Sequence, residues 1–384
     1  MERISNSFFS PSGSRKQNLQ SVSVSGSYMV AVLALLMLTF AIAAGFFWYL
    51  SYGFEDTPAK SVTIQNISAP ADIAWYPNGL ASIKSNDLNA SLAALGYAHA
   101  VKNPWQMMLW RQTALGNLSA WFGPSLLKLD RFNKQLRLAK ISQATYESLS
   151  ENEQEWLIAY TAGVNNAISE QHLLSHNDFA FLGSEIAQWE PWHTLALERM
   201  FAWLATNFSS ISDPAGPERD NILNEVIESD EFLHRFLQVH DFQYSFTGTW
   251  HSTDAQETDF FFQRFVYGAS AHTIVQEVNF QLQSQQEVLV STIPGTFIFL
   301  SGHSRDMNWA ILPTSTLSLG QHHITQIPKV SHERITNRDG TEILATVNHF
   351  PGLLNLESTL DIETDSSYAL YWNGFTEGTD SFAF

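Results

Sequence analysis

The sequence predicts an α+β fold behind one membrane-spanning helix, and three observations carry that expectation. An uncharged apolar run fills residues 28–50, apolar residues recur at helical spacing from about residue 85 to 235, and short β-rich runs take over past residue 240. Helices that come first and strands that come second argue for α+β rather than an alternating α/β chain.

The first run, "YMVAVLALLMLTFAIAAGFFWYL", spans about 35 Å as a helix at ~1.5 Å per residue, enough to cross a bilayer. Arg3, Arg15 and Lys16 precede it, no basic residue follows until Lys60, and Tyr28, Trp48, Tyr49 and Tyr52 sit where interfacial aromatics belong. The expected arrangement is a cytoplasmic tail over 1–27, an inner-membrane anchor over 28–50, and a body on the extracytoplasmic, periplasmic side. A cleaved signal peptide is the competing reading, since "AIAAG" offers small residues, but its apolar region is ordinarily shorter.

Residues 51–70 read as a tether, 71–235 as a helical domain, 236–267 as a spacer and 268–384 as a β-rich segment. Within the helical domain a strand is expected at Ala71–Trp75, followed by a turn at Pro77-Asn78-Gly79. Ser85 is the expected cap of a helix on which Leu88, Leu92 and Leu95 recur. Trp105, Met108, Leu109, Leu115 and Leu118 continue the pattern, and Ser150 with Glu153 forms a capping box ahead of Trp156, Tyr160, Val164 and Ala167 on one face. A further helix is expected in "WEPWHTLALERMFAWLATNF". The strands are expected in "EVLVSTI", "TFIFLSG", "MNWAIL", "EILATV" and "YALYW", with a hairpin turn at residues 337–340.

Composition narrows the function. With 45% hydrophobic and 15% charged residues, the 384-residue chain can bury a sizeable core. A net charge of -18 repels phosphate backbones, so nucleic acid is not an expected partner. No cysteine is present, which removes disulfides, thiolate metal sites and a thiol nucleophile. The Gly-x-Ser-x-Gly elbow, the phosphate loop, the dinucleotide fingerprint and His-Glu-x-x-His are all absent. His172 and His176 have the spacing of a metal pair on a helix but no carboxylate between them, and His322 and His323 point to opposite faces of a strand; both pairs read as structural or solvated.

Taken in order, several stretches resemble the penicillin acylase family of N-terminal-nucleophile amide hydrolases. They are "LAALGYAHAVKNPWQMMLWRQTALGNLSAWFG", "AYTAGVNNAI", "WEPW", "PERDN", "IPGTFIFLSGHSRDMNWAI" and "YALYWNGF". The resemblance covers roughly residues 70–384 and corresponds to the amino-terminal half of a typical precursor. It implies that the β-rich segment is part of an αββα sandwich, in which two sheets lie between two helical layers. It also implies a precursor that cuts itself after a glycine, exposing a serine whose own α-amino group, with a pKa of ~7.7 to 8.0, serves as general base.

On the family's Gly-Ser-Asn-x-Trp-Val-Val junction fall Gly268, Ala269, Ser270, Ala271, His272, Thr273 and Ile274. The position matching the nucleophile is Ala269, which has no oxygen with which to attack. Ser270, one residue on, is the alternative nucleophile if cleavage slides by one bond. Pro313 matches the family's backbone oxyanion donor and has no N–H to give. Glu218 matches a calcium ligand of the family, while the aspartates expected after Trp309 are Leu317 and Gly320; a lone carboxylate will not hold Ca²⁺, so no cofactor is expected. Leu204 and Phe208 match pocket residues for the acyl side chain. The expected function is a degenerate, anchored relative acting in binding or scaffolding, with an acylated small molecule or a protein supplying the missing half as partner. An active amidohydrolase of the penicillin or N-acyl homoserine lactone type, using Ser270, is the alternative.

Overall fold

The computed structural model describes residues 26–52, 60–62, 67, 69–77, 79–170, 179, 186–205, 217–237, 244–250, 260–266, 275–281, 287–311, 319–324, 329–350, 353–354, 360–361, 366–372 and 374. Helix α1, Gly26–Tyr52, contains no charged residue, and its window Val30–Phe47 has a mean hydropathy of 2.6 with every side chain exposed. A helix of this length and apolarity can cross a bilayer, and an amino-terminal signal sequence meets the same description. Residues 56–384 form a separate compact unit.

That unit begins with three antiparallel strands, β1 (Lys60–Val62), β2 (Ala71–Trp75) and β3 (Ala81–Ser85). Ser85, the expected helix cap, is instead the last residue of β3, and its hydroxyl donates to the Pro70 carbonyl at 2.9 Å. The cap of α2 (Leu88–Lys102) is Asp87, whose carboxylate accepts the Ala90 amide at 2.7 Å. Strand pairing claims the serine first, so the helix starts two residues later than the sequence suggests.

Helices α3 (Pro104–Leu115), α4 (Ser119–Phe122), α5 (Leu127–Leu136), α6 (Leu138–Ser148), α7 (Glu151–Ser169), α8 (Pro191–Leu204) and α9 (Pro217–Leu237) follow. The expected capping box of α7 forms: Ser150 Oγ accepts the Glu153 amide and the Glu153 carboxylate accepts the Ser150 amide. Asp130 on α5 is fully buried, and its two carboxylate oxygens accept the Leu118 and Ser119 amides at 2.7 Å each, closing the start of α4. Burial pushes its pKa up, while the Ser119 and Leu118 hydrogen bonds and Lys134 oppose that rise.

Strands β4 (Tyr244–Trp250) and β5 (Phe260–Val266) pair with each other. The chain then returns to the first sheet through β6 (Gln276–Gln281), β7 (Glu287–Thr292), β8 (Phe299–Ser304) and β9 (Asn308–Ala310). The seven-stranded order is β1-β2-β3-β6-β7-β8-β9, with β3 and β6 parallel, so the chain from α2 to β5 is inserted in sequence between two strands that pair directly in one sheet. Ile73, Ile83, Val278, Phe280 and Val290 are buried on its inner face. Trp309 lies across Gly302 of the neighbouring strand on that face and covers the position where a side chain is missing.

A second sheet contains β10 (Leu319–Ile324), β11 (Lys329–Thr336), β12 (Glu342–Phe350), β13 (Leu353–Leu354), β14 (Leu360–Asp361) and β15 (Ser366–Trp372). The expected hairpin turn joins β11 to β12, with Gly340 at φ +82° and its amide on the Asn337 carbonyl. Strands β11 and β12 pack against α5, and the edge of the Trp372 ring meets Trp203 at 5.2 Å. Arg199 of α8 fastens the same region, donating to the Gly374 carbonyl at 2.7 Å and to Thr145 Oγ1 at 2.9 Å.

Candidate functional site

Helices α2 and α7 cross with their backbones in contact. A Cβ on Gly96 would stand 2.1 Å from the Tyr160 carbonyl oxygen, and one on Gly163 would stand 1.8 Å from that of Ala93. Only glycine permits this approach. His99 lies three residues after one of these glycines and Tyr160 three residues before the other, so both face the crossing.

His99 Nδ1 and Tyr160 Oη are 2.8 Å apart, and both side chains are completely buried. The turn between β7 and β8 descends onto them. Pro294 and Gly295 occupy its centre, Gly295 has φ +92°, and the Thr296 amide donates to the Ile293 carbonyl at 3.1 Å, as in a type II turn. The Gly295 amide donates to Tyr160 Oη at 3.0 Å and to His99 Nδ1 at 3.3 Å. One residue pair on, the Phe297 amide donates to Glu198 Oε1 of α8 at 2.8 Å, and the Phe297 ring stands edge-on to Tyr160 at 5.1 Å.

The hydrogen bonds assign the proton positions. Tyr160 Oη accepts from Gly295 and donates to His99 Nδ1, which places the imidazole proton on Nε2. That Nε2 is buried and has no hydrogen-bond partner among the described residues. Burial lowers the His99 pKa to about 3 and pushes the Tyr160 phenol well above its ordinary value, where the Gly295 amide opposes the rise and the Glu198 charge adds to it. Both groups are therefore neutral at physiological pH. The cluster joins three helices to the sheet through one turn.

A second buried polar set holds the "WEPW" segment, residues 189–192. Asn165 of α7 exchanges hydrogen bonds with the Trp189 backbone, receiving its amide at 2.7 Å and donating to its carbonyl at 2.9 Å. Arg111 of α3 donates from Nη1 to the Ala187 and Gln188 carbonyls at 2.8 and 3.2 Å, with its guanidinium 5.5 Å from the Trp189 ring. Burial lowers the Arg111 pKa to about 10 against the opposing charge of Glu190. His193 Nδ1 accepts the Glu190 amide at 2.9 Å; burial, then Arg111, lowers its pKa to about 3.

Of the residues singled out from sequence, Ala269, Ser270, Pro313 and Phe208 lie outside the described residues, as do His172, His176 and Leu317. Leu204 is buried near the end of α8. Glu218 falls in the first turn of α9, with its side chain outside the described part, and Gly320 lies in β10. Leu317 and Gly320, at the positions where the resemblance expects calcium-binding aspartates, bring no side-chain oxygen. The sequence reading missed the Gly295 cluster, although His99, Tyr160, Gly295 and Phe297 stand inside the quoted motifs; the signal was a polar letter isolated among apolar ones.

Comparison with known proteins gives these motifs a context. A family model described as penicillin amidase matches residues 70–233. Penicillin acylase 2 proenzyme of Pseudomonas sp. (strain SE83) is 32% identical over 144 residues, which cover 38% of this chain and 18% of that protein. Acyl-homoserine lactone acylase QuiP of Pseudomonas aeruginosa is 30% identical over 128 residues, 33% of this chain and 15% of that protein. Its namesake from Pseudomonas fluorescens is 31% identical over 144 residues, 37% and 18% respectively. The matched part of the chain thus spans less than a fifth of the length of these relatives. Among solved structures, thermostable penicillin G acylase from Alcaligenes faecalis matches at 16% identity and a TM-score of 0.34, covering 49% of this chain and 100% of that one.

Proposed function

From a chain whose residues 70–233 are related in sequence to the penicillin acylase family, we propose a membrane-anchored acylase-like protein that has lost amide hydrolysis and acts in binding or scaffolding. Ala269, at the position matching the nucleophile, carries this reading: a methyl group cannot attack a carbonyl. Pro313 supports it, since a residue without an N–H at the oxyanion position removes a donor ordinarily worth ~100 to 1,000-fold in rate. In this reading α1 anchors the chain in the inner membrane, with the body on the periplasmic side. The helices and the seven-stranded sheet would then correspond to one α and one β layer of the αββα sandwich. Calcium has no part in it.

The test is hydrolysis of a panel of acylated amides by the purified full-length chain in detergent. No release of acyl group and one intact band on a denaturing gel are expected. Release that disappears in Ser270→Ala would overturn the reading.

A second reading is favoured by one observation: Ser270 has the hydroxyl that Ala269 lacks. Cleavage after Ala269 would expose a nucleophile together with its own α-amino base, and Leu204 and Phe208 would then line an acyl pocket. The substrate would be a linear amide of the penicillin or N-acyl homoserine lactone type, the classes that the relatives' names carry. This reading predicts two fragments divided near residue 269, and a mature amino terminus at Ser270 by mass spectrometry.

A further inference from the structure

The two faces of the seven-stranded sheet differ in kind. Toward the helices it presents Ile73, Ile83, Val278, Phe280 and Val290. The opposite face carries Asp72, Lys84, Glu277, Glu287 and His303, all exposed, around the small buried Ser82 and Ser301, with Leu289 as its one large apolar side chain. The registers make this a designed surface rather than a scatter of charges. Asp72 stands opposite Lys84, Lys84 opposite Gln281, and Gln281 opposite Glu287, to whose carboxylate it donates at 3.2 Å. The pattern therefore runs unbroken from β2 to β7, and His303 extends it onto β8.

A sheet covered on both sides reads as continuously apolar strands, whereas alternation of apolar and polar residues marks a sheet with one face in water. Burying Lys84, Glu277 and Glu287 beneath another sheet would strip their hydration, and their cross-strand neighbours do not neutralise all of them. The second sheet keeps the rule less strictly: Ile335, Ala345 and Val347 are buried, while His332, Arg334 and Glu342 face outward together with the exposed Val330 and Leu344.

We infer that the outer face of the seven-stranded sheet is a solvent-facing surface in the working protein, so that no second sheet packs on it, whether from a longer form of this chain or from another polypeptide. The inference rests on the acylase-like reading only for the expectation it departs from, the facing β layers of an αββα sandwich. It removes this face as the docking place of a protein supplying the missing half.

The absence of cysteine permits a direct test in the native membrane. Glu277→Cys, Leu289→Cys and His303→Cys, made singly in the full chain, place thiols on three adjacent strands of the outer face. Val290→Cys places one on the inner face. A maleimide carrying a bulky polyethylene glycol chain, applied to membranes of cells expressing the variants, reads accessibility as a gel shift. The three outer thiols should react within about tenfold of their rates in urea, while the inner thiol is protected by about a hundredfold or more until global opening. Protection of the outer thiols in membranes would overturn the inference, and protection that vanishes on purification would identify a partner on this face. Labelling is independent of amide hydrolysis, so an active enzyme with a reactive outer face would refute the functional reading and leave this one standing.

Discussion

His99 makes acid stability the most direct probe of the joint beneath Gly295. Its pKa falls from 6.5 to about 3 because burial penalises the charged imidazolium. Below pH 6.5 the unfolded chain therefore binds a proton that the folded chain refuses, and stability must fall as pH falls. The contribution is intact above about pH 6.5, declines by ~1.4 kcal/mol per pH unit below it, and levels off only near the folded value. At about pH 5 the loss is about 2 kcal/mol for this one residue. His193, lowered similarly, adds a loss of the same sign, whereas the raised pKa of Asp130 acts in the opposite direction. The His99 share is isolated by His99→Asn, which does not titrate here and offers an amide oxygen near the former Nδ1, so the Gly295 and Tyr160 bonds keep an acceptor. Urea unfolding of both proteins at about pH 7.5 and about pH 5 should show the wild type losing about 2 kcal/mol more than the variant on acidification. Equal losses would refute the neutral, buried assignment of His99.

Three further outcomes follow from the same geometry. Gly295→Ala places a Cβ at φ +92° and 2.7 Å from Leu197 Cδ2, so the urea midpoint should report a loss of about 1 to 3 kcal/mol. Gly163→Ala drives a methyl group into the Ala93 carbonyl, where backbone rather than a flexible side chain must yield; a loss of about 3 kcal/mol or more is expected, read as a lowered Tm. Asp130→Asn retains one acceptor for the two amides of Leu118 and Ser119 and turns an NH₂ toward the other, costing about 1 to 3 kcal/mol by the same measurement.

What the sequence disclosed depended on how local the deciding interaction is. The capping box of α7 was legible because Ser150 and Glu153 are three residues apart and need nothing else. The turn at residues 337–340 was legible because Gly340 supplies its own positive φ. The start of α2 was misread by two residues because Ser85 and Asp87 are equally good caps, and the choice fell to a strand bond with Pro70, 15 residues away. The pairing within the Gly295 joint was not legible: its bonds close over 61, 135 and 196 residues of sequence. The polar face of the sheet could have been read, since Glu277 and Asn279 alternate with Val278 and Phe280, but alternation alone does not say which neighbour strand continues it.

The positions at which this chain keeps or departs from the acylase motifs divide by physical role. His99 and Tyr160, Arg111 and Asn165, Glu198 and Gly295 all stand within or beside matched stretches, and each satisfies a buried backbone group or fastens one element to another. Losing any of them would leave a polar group stranded in the core, a cost borne by the fold whether or not a reaction occurs. Ala269, Pro313, Leu317 and Gly320 are the departures, and the resemblance assigns each of them to attack, oxyanion binding or calcium. A sheet whose outer face is suited to water agrees with that division, because facing sheets serve the assembled sandwich rather than the helical layer. Folding and chemistry are thus separable demands on this sequence, and in the proposed reading the framework would hold a binding surface without the chemistry.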